Sequence, residues 1–294
     1  MLAAVGQMCS TGQPLANLNA AVSIISRAAA AGAAAVFLPE ATDFIAPASH
    51  VPALTRSAEN RAFVDGLRDA ARRHGVEISV GIHEPPASSP SDSDSDAQVQ
   101  DDKHRKGRCY NTQLLIGSDG NDVQRYRKLH LFDVDIKGGL KILESDTTIP
   151  GRALSDAVDS RVGKLGLLTC YDLRFPEPSL SLRKAGAQVL TYPSAFTVRT
   201  GAAHWEILLR ARAIETQCYV LAAAQVGSHE GTKRVSWGHA MAVDPYGSVI
   251  AQCSDMQPYQ PSFCLANIDL DLLENVRKEM PLWEQRRPDV YSTI

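Results

Sequence analysis

Three residues whose types could carry out covalent chemistry each come directly after a predicted strand. Cys170 follows the apolar run 165–169, Glu40 follows the run 35–38, and Lys128 lies just beyond a predicted hairpin. The carboxyl ends of strands are a common place for chemistry in open α/β sheets. A thiol at a strand-to-helix turn is expected to be partly exposed and close to backbone N–H groups, which favours the reactive thiolate. The sequence therefore predicts Cys170 as a nucleophile, with Glu40 and Lys128 as candidate partners.

Ordinary structural roles are the competing interpretation for each of these residues. A free cysteine is most often buried and inert. That role is accepted for four cysteines that lie in or beside apolar strand patterns: Cys9, Cys218, Cys253 and Cys264. Taken alone, Glu40 is interpreted as a carboxylate that forms an ion pair or is exposed to solvent. Lys128 is interpreted as an ordinary member of the basic run 125–128. None of the eight histidines stands out as a catalytic base.

The elements that must position these residues alternate between strands and helices in the first half of the chain. A strand at 2–8 precedes a helix whose buried face is predicted from four residues at helical spacing: Leu15, Leu18, Val22 and Ile25. A second helix carries Phe63, Leu67 and Ala71, and an alternating strand follows it at 76–82. A hairpin is predicted from the strands 110–116 and 122–126 around a polar turn.

The alternation resumes after Gly151 and indicates an α/β fold. Strands are predicted at 165–169, 187–193, 219–224, 236–243, 248–252 and 263–268, with helices near 178–185, 203–215 and 270–280. A C-terminal tail, 281–294, carries Trp283 and Tyr291, which we expect to dock on this domain or on a second subunit.

Composition excludes several classes of protein. The chain has 294 residues, 44% hydrophobic and 21% charged, as in soluble globular proteins, and its net charge of −3 offers no cationic excess for nucleic acid. The longest apolar run, 28–38, is too short for a membrane span. The N-terminus lacks the pattern of a secretory signal, and six widely spaced cysteines indicate free thiols. A cytoplasmic protein without nucleic-acid or membrane partners is predicted.

One segment, 88–107, interrupts the pattern with the polar sequence SSPSDSDSDAQVQDDKHRKG. It has too few apolar side chains to offset the entropy of ordering. Because strand patterns resume directly after it, we interpret it as a flexible surface insertion within a single domain, 1–294.

Three segments together resemble a known family. FLPEA (37–41), RKLHLFD (127–133) and TCYDLRFPE (169–177) are similar, in order and spacing, to the motifs around the Glu-Lys-Cys triad of the nitrilase superfamily of carbon–nitrogen hydrolases. The similarity covers essentially the whole chain and points to the Nit branch. It implies a four-layer α-β-β-α sandwich that assembles as a homodimer or a larger homo-oligomer.

The resemblance also implies roles for individual residues. Cys170 would attack an amide carbonyl, Glu40 would move the protons, and Lys128 would stabilise the oxyanion together with the Tyr171 backbone N–H. Glu144, in KILESD, matches the second glutamate of the family and would hold Lys128 or the substrate. This chemistry needs no metal or other cofactor, and the sequence has no His/Cys spacing suited to zinc.

The implied substrate is a small 2-oxo amide, deaminated glutathione, hydrolysed through a thioester to 2-oxoglutarate and cysteinylglycine. Its two terminal carboxylates require cationic or hydroxyl groups. The candidates are Arg174 and the segment 194–200, with Phe196, Arg199 and Thr200. Arg174 could equally form an ion pair with Asp172 or Glu177.

Other functions stay open at this point. An ω-amidase acting on 2-oxoglutaramate would share the triad and the fold. A catalytically silent scaffold is possible on any enzyme fold, although the intact triad argues against it. A redox sensor built on Cys170 is disfavoured by the absence of a nearby resolving cysteine in the sequence. A mitochondrial share beside the cytoplasmic one is a further expectation.

Overall fold

Two large β-sheets and flanking helices form the computed structural model of this chain, which describes residues 1–86, 107–135 and 141–292. The α-helices are α1 (Pro14–Ala30), α2 (Val51–Thr55), α3 (Ala58–His74), α4 (Pro176–Lys184), α5 (Val198–Thr216) and α6 (Leu270–Glu279). Within the described ranges, no helix is long and apolar enough to cross a membrane.

Sixteen strands follow one another along the described chain. They are β1 (Leu2–Met8), β2 (Ala35–Phe37), β3 (Glu77–Glu84), β4 (Cys109–Ile116), β5 (Asp122–Arg127), β6 (Asp133–Asp135), β7 (Lys141–Leu143), β8 (Thr148–Ile149), β9 (Leu165–Leu167), β10 (Val189–Thr191), β11 (Tyr219–Ala222), β12 (Ala224–Ser228), β13 (Val235–Trp237), β14 (Met241–Val243), β15 (Val249–Gln252) and β16 (Ser262–Asn267). The first sheet has the order β13-β12-β1-β2-β3-β4-β5, with β16 beside β1 and β8 beside β4. The second has the order β15-β14-β11-β10-β9, and β6 pairs with β7.

The two sheets pack face to face between layers of helices. Side chains alternate across β1, so that Ala4 packs with the side chains of α1 and α3 whereas Val5 belongs to the core shared with the second sheet. Gln113 of β4 links the sheets directly, because its Nε2 donates to Thr191 Oγ1 of β10 at 2.8 Å. On the far side, α4 contacts β9, and α5 contacts β11 and β14. The predicted four-layer α-β-β-α sandwich is confirmed.

The buried face of α1 differs from the predicted one. Leu15 is 46% exposed, and the buried positions are Pro14, Asn17, Ala21, Ile24, Ile25 and Ala28. The difference has a polar cause, since Asn17 Nδ2 donates to the carbonyls of Thr11 and Asp43, both at 2.8 Å. The helix is therefore rotated to place an asparagine inside, where it ties two loops together.

The prediction of a single strand over 236–243 was also wrong. The chain forms β13 in the first sheet and β14 in the second, and it crosses between them at Gly238 and His239, whose φ angles are +78° and +59°. A Cβ on Gly238 would lie 2.7 Å from Val226 Cγ2. A continuous apolar pattern hides such a change of sheet, because both halves are buried.

The predicted insertion at 88–107 lies outside the described residues apart from Gly107. In the described part of the tail, the Trp283 ring lies under the guanidinium of Arg286 at 4.2 Å and near that of Arg183, in α4, at 5.3 Å. Trp283 thus docks on its own domain, whereas Tyr291 is exposed.

Candidate active site

Glu40 lies in a tight turn at the carboxyl end of β2. Its side chain is only 5% exposed. The next residue, Ala41, has a φ of +52°, which is uncommon for a residue other than glycine. The turn packs directly onto β3, where a Cβ on Gly81 would lie 2.5 Å from Glu40 Cα. The absence of a side chain at Gly81 thus allows the backbone of this turn to lie against β3.

Lys128 follows β5 and is enclosed by two carboxylates. Its side chain is 2% exposed, and its Nζ donates to Glu40 Oε1 at 2.9 Å and to Glu144 Oε2 at 2.8 Å. Glu144 opens a short 3-10 helix after β7 and also accepts from the Phe132 N–H at 2.7 Å. The structure therefore brings three of the predicted residues into one buried cluster.

Asn111 of β4 completes this cluster and was missed by the sequence analysis. Its Nδ2 donates to Glu40 Oε1 at 2.7 Å and to Glu144 Oε1 at 3.1 Å. It lies between two carboxylates, where its amide protons reduce their mutual repulsion. The other carboxylate oxygen, Glu40 Oε2, is buried and has no hydrogen-bond partner among the described residues. That oxygen is free to accept a proton.

Cys170 begins a 3-10 helix, Cys170–Arg174, after β9, and has a φ of +48°. Its own N–H donates to the Pro193 carbonyl at 3.1 Å. The Tyr171 N–H has no intrahelical acceptor at this position of the helix, and it donates to no acceptor in the described part of the chain. This amide is available to a ligand at the thiol.

Asp172 fixes the turn that carries Cys170. This fully buried carboxylate accepts from the Thr169 N–H at 2.9 Å, the Tyr126 hydroxyl at 2.7 Å and the His130 N–H at 3.0 Å. Because Tyr126 and His130 flank Lys128 in sequence, the same carboxylate sets the position of Lys128 relative to the thiol.

The thiol environment differs from the expected one. Cys170 is 7% exposed. Burial and the negative charge of Glu40 raise the pKa of its thiol to about 12, because they outweigh the positive charge of Lys128, which acts to lower it. Burial also acts to raise the pKa of Glu40, but the charges of Lys128 and Arg234 outweigh it and lower that pKa to about 2. The prediction of a partly exposed thiolate was wrong. At rest the thiol holds the proton and Glu40 is ionised.

These opposite shifts predict the pH dependence of Cys170 alkylation. With its pKa raised, the thiolate fraction increases only as pH approaches about 12, so the iodoacetamide rate should show no midpoint near the usual value of about 8.5. Mass spectrometry of the Cys170 peptide over a pH series measures this rate, and Cys170→Ala defines the background. A midpoint at or below about pH 8.5, the usual value for a cysteine thiol, would contradict the assignment.

A cavity of about 1210 Å³ opens onto these groups. The five predicted substrate-binding residues all line it: Tyr171, Arg174, Phe196, Arg199 and Thr200. Arg174 and Arg199 included, its described lining carries six Lys or Arg side chains and only three Asp or Glu side chains. The cavity is therefore cationic in a chain that is anionic as a whole, which favours an anionic ligand.

Arg174 does not form either of the ion pairs that were considered. Its Nη1 donates to His204 Nδ1 at 3.1 Å, and its guanidinium lies 5.5 Å from the ring centres of both Tyr171 and Phe196. The carboxylate of Asp172 is occupied elsewhere. Arg174 is thus held as part of the cavity wall.

Two further lining groups had no clear signal in the sequence. His83 Nδ1 lies 2.9 Å from Oδ1 of the buried Asp43, and Arg234 lies between β12 and β13. A polar residue inside a wholly buried strand, as with Asn111 in β4, is the kind of signal that could have been used. Within the described ranges, no three His, Cys, Asp or Glu side chains converge in a way that could hold a metal ion.

Comparison with known proteins gives matches over the full chain. Residues 2–278 match the carbon-nitrogen hydrolase family. The probable hydrolase nit2 of Schizosaccharomyces pombe is 44% identical over 295 residues, covering 100% of this chain and 99% of that protein. Human deaminated glutathione amidase is 44% identical over 294 residues, covering 100% of this chain and 84% of that protein. The crystal structure of the Caenorhabditis elegans NitFhit protein superimposes with a TM-score of 0.87 at 43% identity, over 99% of this chain and 66% of that one.

Proposed function

The chain belongs to the carbon–nitrogen hydrolase family, and from that premise we propose that it hydrolyses the side-chain amide of deaminated glutathione to 2-oxoglutarate and cysteinylglycine. The observation that carries this proposal is a buried cluster of Glu40, Lys128 and Cys170 at the base of a cationic cavity. The relatives named for this activity match the chain from end to end.

Cys170 is the nucleophile in this proposal. Its Sγ attacks the amide carbonyl carbon while its proton passes to Glu40, whose unpartnered oxygen is the acceptor. Because the thiol is protonated at rest, proton transfer accompanies formation of the S–C bond. Glu40 then gives the proton to the leaving nitrogen as the C–N bond breaks, which releases cysteinylglycine and leaves a thioester.

The oxyanion of the tetrahedral intermediate is stabilised by the Lys128 ammonium and the Tyr171 N–H. Burial acts to lower the pKa of Lys128, but the charges of Glu144 and Glu40 outweigh it, so the ammonium is held cationic. A charge fixed in a buried site acts more strongly than one in water. In the second half of the reaction, Glu40 takes a proton from water as the water oxygen attacks the thioester carbonyl carbon. The C–S bond then breaks, 2-oxoglutarate leaves, and Glu40 returns the proton to the Cys170 sulfur.

Lys128→Ala is expected to lower kcat by about 100-fold to 1,000-fold, with a smaller effect on KM. The ammonium acts mainly on charge that develops in the transition state. Its loss should also raise the pKa of Glu40, since Lys128 is the largest lowering influence on that pKa. Steady-state kinetics over a pH series measures both effects, with Lys164→Ala as a control outside the cavity. A change in KM alone would assign Lys128 to ground-state binding.

The main alternative, an ω-amidase acting on 2-oxoglutaramate, is less favoured because the relatives carry the other activity in their names. The two substrates share the acyl half and differ in the leaving amine. Comparison of kcat/KM for the two separates the functions, since the ratio measures differential binding in the transition state. A higher kcat/KM for 2-oxoglutaramate would overturn the proposed substrate.

A homodimer or larger homo-oligomer in the cytoplasm, with a mitochondrial share, is part of the proposal. Exposed apolar side chains on α5, Ile207 and Ile214, support an interface there together with the nearby Tyr246. The six free cysteines are consistent with a reducing compartment. Light scattering on Ile207→Glu, against the unchanged protein, tests the interface.

A further inference from the structure

Arg234 is a half-buried arginine of the cavity wall that lacks a carboxylate partner. Its Nη2 donates to the Ala195 carbonyl at 2.7 Å. Its Nε is buried with no acceptor, and no Asp or Glu of the described ranges forms an ion pair with it. Leaving a buried charged donor unsatisfied is unfavourable. The same guanidinium carries Nη1, which makes no hydrogen bond within the described residues and is not buried, so a ligand group in the cavity can accept from it.

The position of Arg234 is close to the reacting groups. The N–H of Ala195, the same residue whose carbonyl binds Arg234, is directed at the Cys170 thiol and acts to lower its pKa. The Arg234 charge also reaches the Glu40 carboxylate and acts to lower the pKa of that group. The guanidinium thus lies on the thiol side of the cavity.

A braced loop holds this arginine in place. In the turn between β12 and β13, the Arg234 N–H donates to Thr232 Oγ1 at 3.1 Å and its carbonyl accepts from the His229 N–H at 3.1 Å. His229 is anchored in turn, with its ring nitrogens 2.8 Å from the Ser10 carbonyl and 2.8 Å from Ser236 Oγ. A side chain on such a loop is positioned before a ligand arrives, which lowers the entropic cost of binding.

The other cationic side chains of the cavity have different surroundings. Lys128 lies between two carboxylates, Lys141 pairs with Asp135 at 2.9 Å, and Arg174 contacts a histidine and two rings. Arg199 and Lys233 are exposed. Within the described lining, Arg234 is the half-buried cation that has neither a carboxylate nor a ring partner.

We propose that Arg234 binds the free carboxylate of the substrate's acyl half and thereby selects amides that carry an anionic group at that end. This inference rests on the proposed function. A guanidinium matches a carboxylate with two parallel N–H donors. The acyl half of the substrate stays attached to Cys170 through the thioester after the amine has left. A cation beside the thiol can therefore bind the acyl carboxylate both during thioester formation and during its hydrolysis.

The test compares two amides of equal chain length that differ at the far end, glutaramate with a carboxylate and pentanamide with a methyl group. Arg234→Gln should lower the ratio of kcat/KM for glutaramate to that for pentanamide by about tenfold or more, mainly through KM. Arg234→Lys keeps the positive charge but loses the two parallel N–H donors of the guanidinium, so it should give an intermediate ratio. Lys278→Gln, which removes an exposed charge on α6 outside the cavity, should leave the ratio unchanged.

Equal losses on both amides would overturn the inference, because they would show that Arg234 acts only on Glu40 or on the fold. A loss confined to substrates that contain cysteinylglycine would also overturn it, since the carboxylate would then belong to the leaving half. Failure of the proposed function is a separate result. It would appear as no cysteinylglycine release from deaminated glutathione by the unchanged enzyme, whatever the ratio for the two simple amides.

Discussion

Replacement of Cys170 by alanine is expected to lower turnover by more than about 10,000-fold and to leave the fold intact. The substitution removes the only proposed nucleophile from a cavity that keeps its lysine, its glutamates and its backbone amides. It takes away little volume, and the Cys170 backbone N–H still donates to the Pro193 carbonyl. Product release measured at high enzyme concentration gives the residual rate, and thermal unfolding gives the stability.

A matched control is available in Cys264→Ala, which removes a half-buried thiol of β16 outside the cavity. This variant should retain near-normal turnover. If Cys170→Ala kept a rate within about tenfold of the unchanged protein, a barrier change of about 1.4 kcal/mol, the cysteine mechanism would be wrong.

Glu40→Gln is expected to be nearly inactive, with kcat lowered between about 100-fold and 10,000-fold. Glutamine keeps an oxygen that can accept from Asn111 and Lys128, so the geometry of the cluster is retained. Its amide nitrogen cannot take up the thiol proton. We therefore expect kcat to fall while the inhibition constant of the product 2-oxoglutarate changes much less.

Glu77→Gln serves as the control for this substitution. Glu77 is a partly buried glutamate of β3 that accepts from the Arg161 N–H at 2.9 Å, outside the cavity. Its replacement should leave kcat unchanged. Near-normal turnover in Glu40→Gln would assign proton transfer to another group, and Glu144, which shares Lys128 and Asn111 with Glu40, is the titratable alternative in the lining.

Much of the fold follows from local patterns in the sequence. The hairpin of β4 and β5, the helix carrying Phe63 and Leu67, and the strand at 76–82 all form as predicted, because each has a regular spacing of apolar residues along the sequence. Proximity of Glu40 and Lys128 was expected from the ends of their strands, and their side chains lie 2.9 Å apart.

The features that were missed depend on contacts between distant segments. Asn17 is buried because two loops need its amide, and the crossing at Gly238 depends on which sheet each half joins. The high pKa of Cys170 comes from burial produced by the whole fold. Arg234 gains meaning only beside groups that lie far away in sequence, so a local pattern carries no signal for it.

The central claim, that the cationic cavity serves a 2-oxo dicarboxylate joined to cysteinylglycine, also predicts discrimination against glutathione itself. Glutathione replaces the neutral 2-oxo group by an ammonium. In a cavity with more cationic than anionic side chains, that ammonium is repelled and leaves polar groups without partners. The expected discrimination is several kcal/mol, or about 100-fold or more in kcat/KM.

A competition assay tests this claim most directly. Deaminated glutathione and glutathione are supplied at equal concentration, and cysteinylglycine release from each is followed through the co-produced 2-oxoglutarate or glutamate. We expect release almost entirely from deaminated glutathione, with 2-oxoglutarate formed in equal amount. Comparable release from the two compounds, or none from deaminated glutathione, would contradict it.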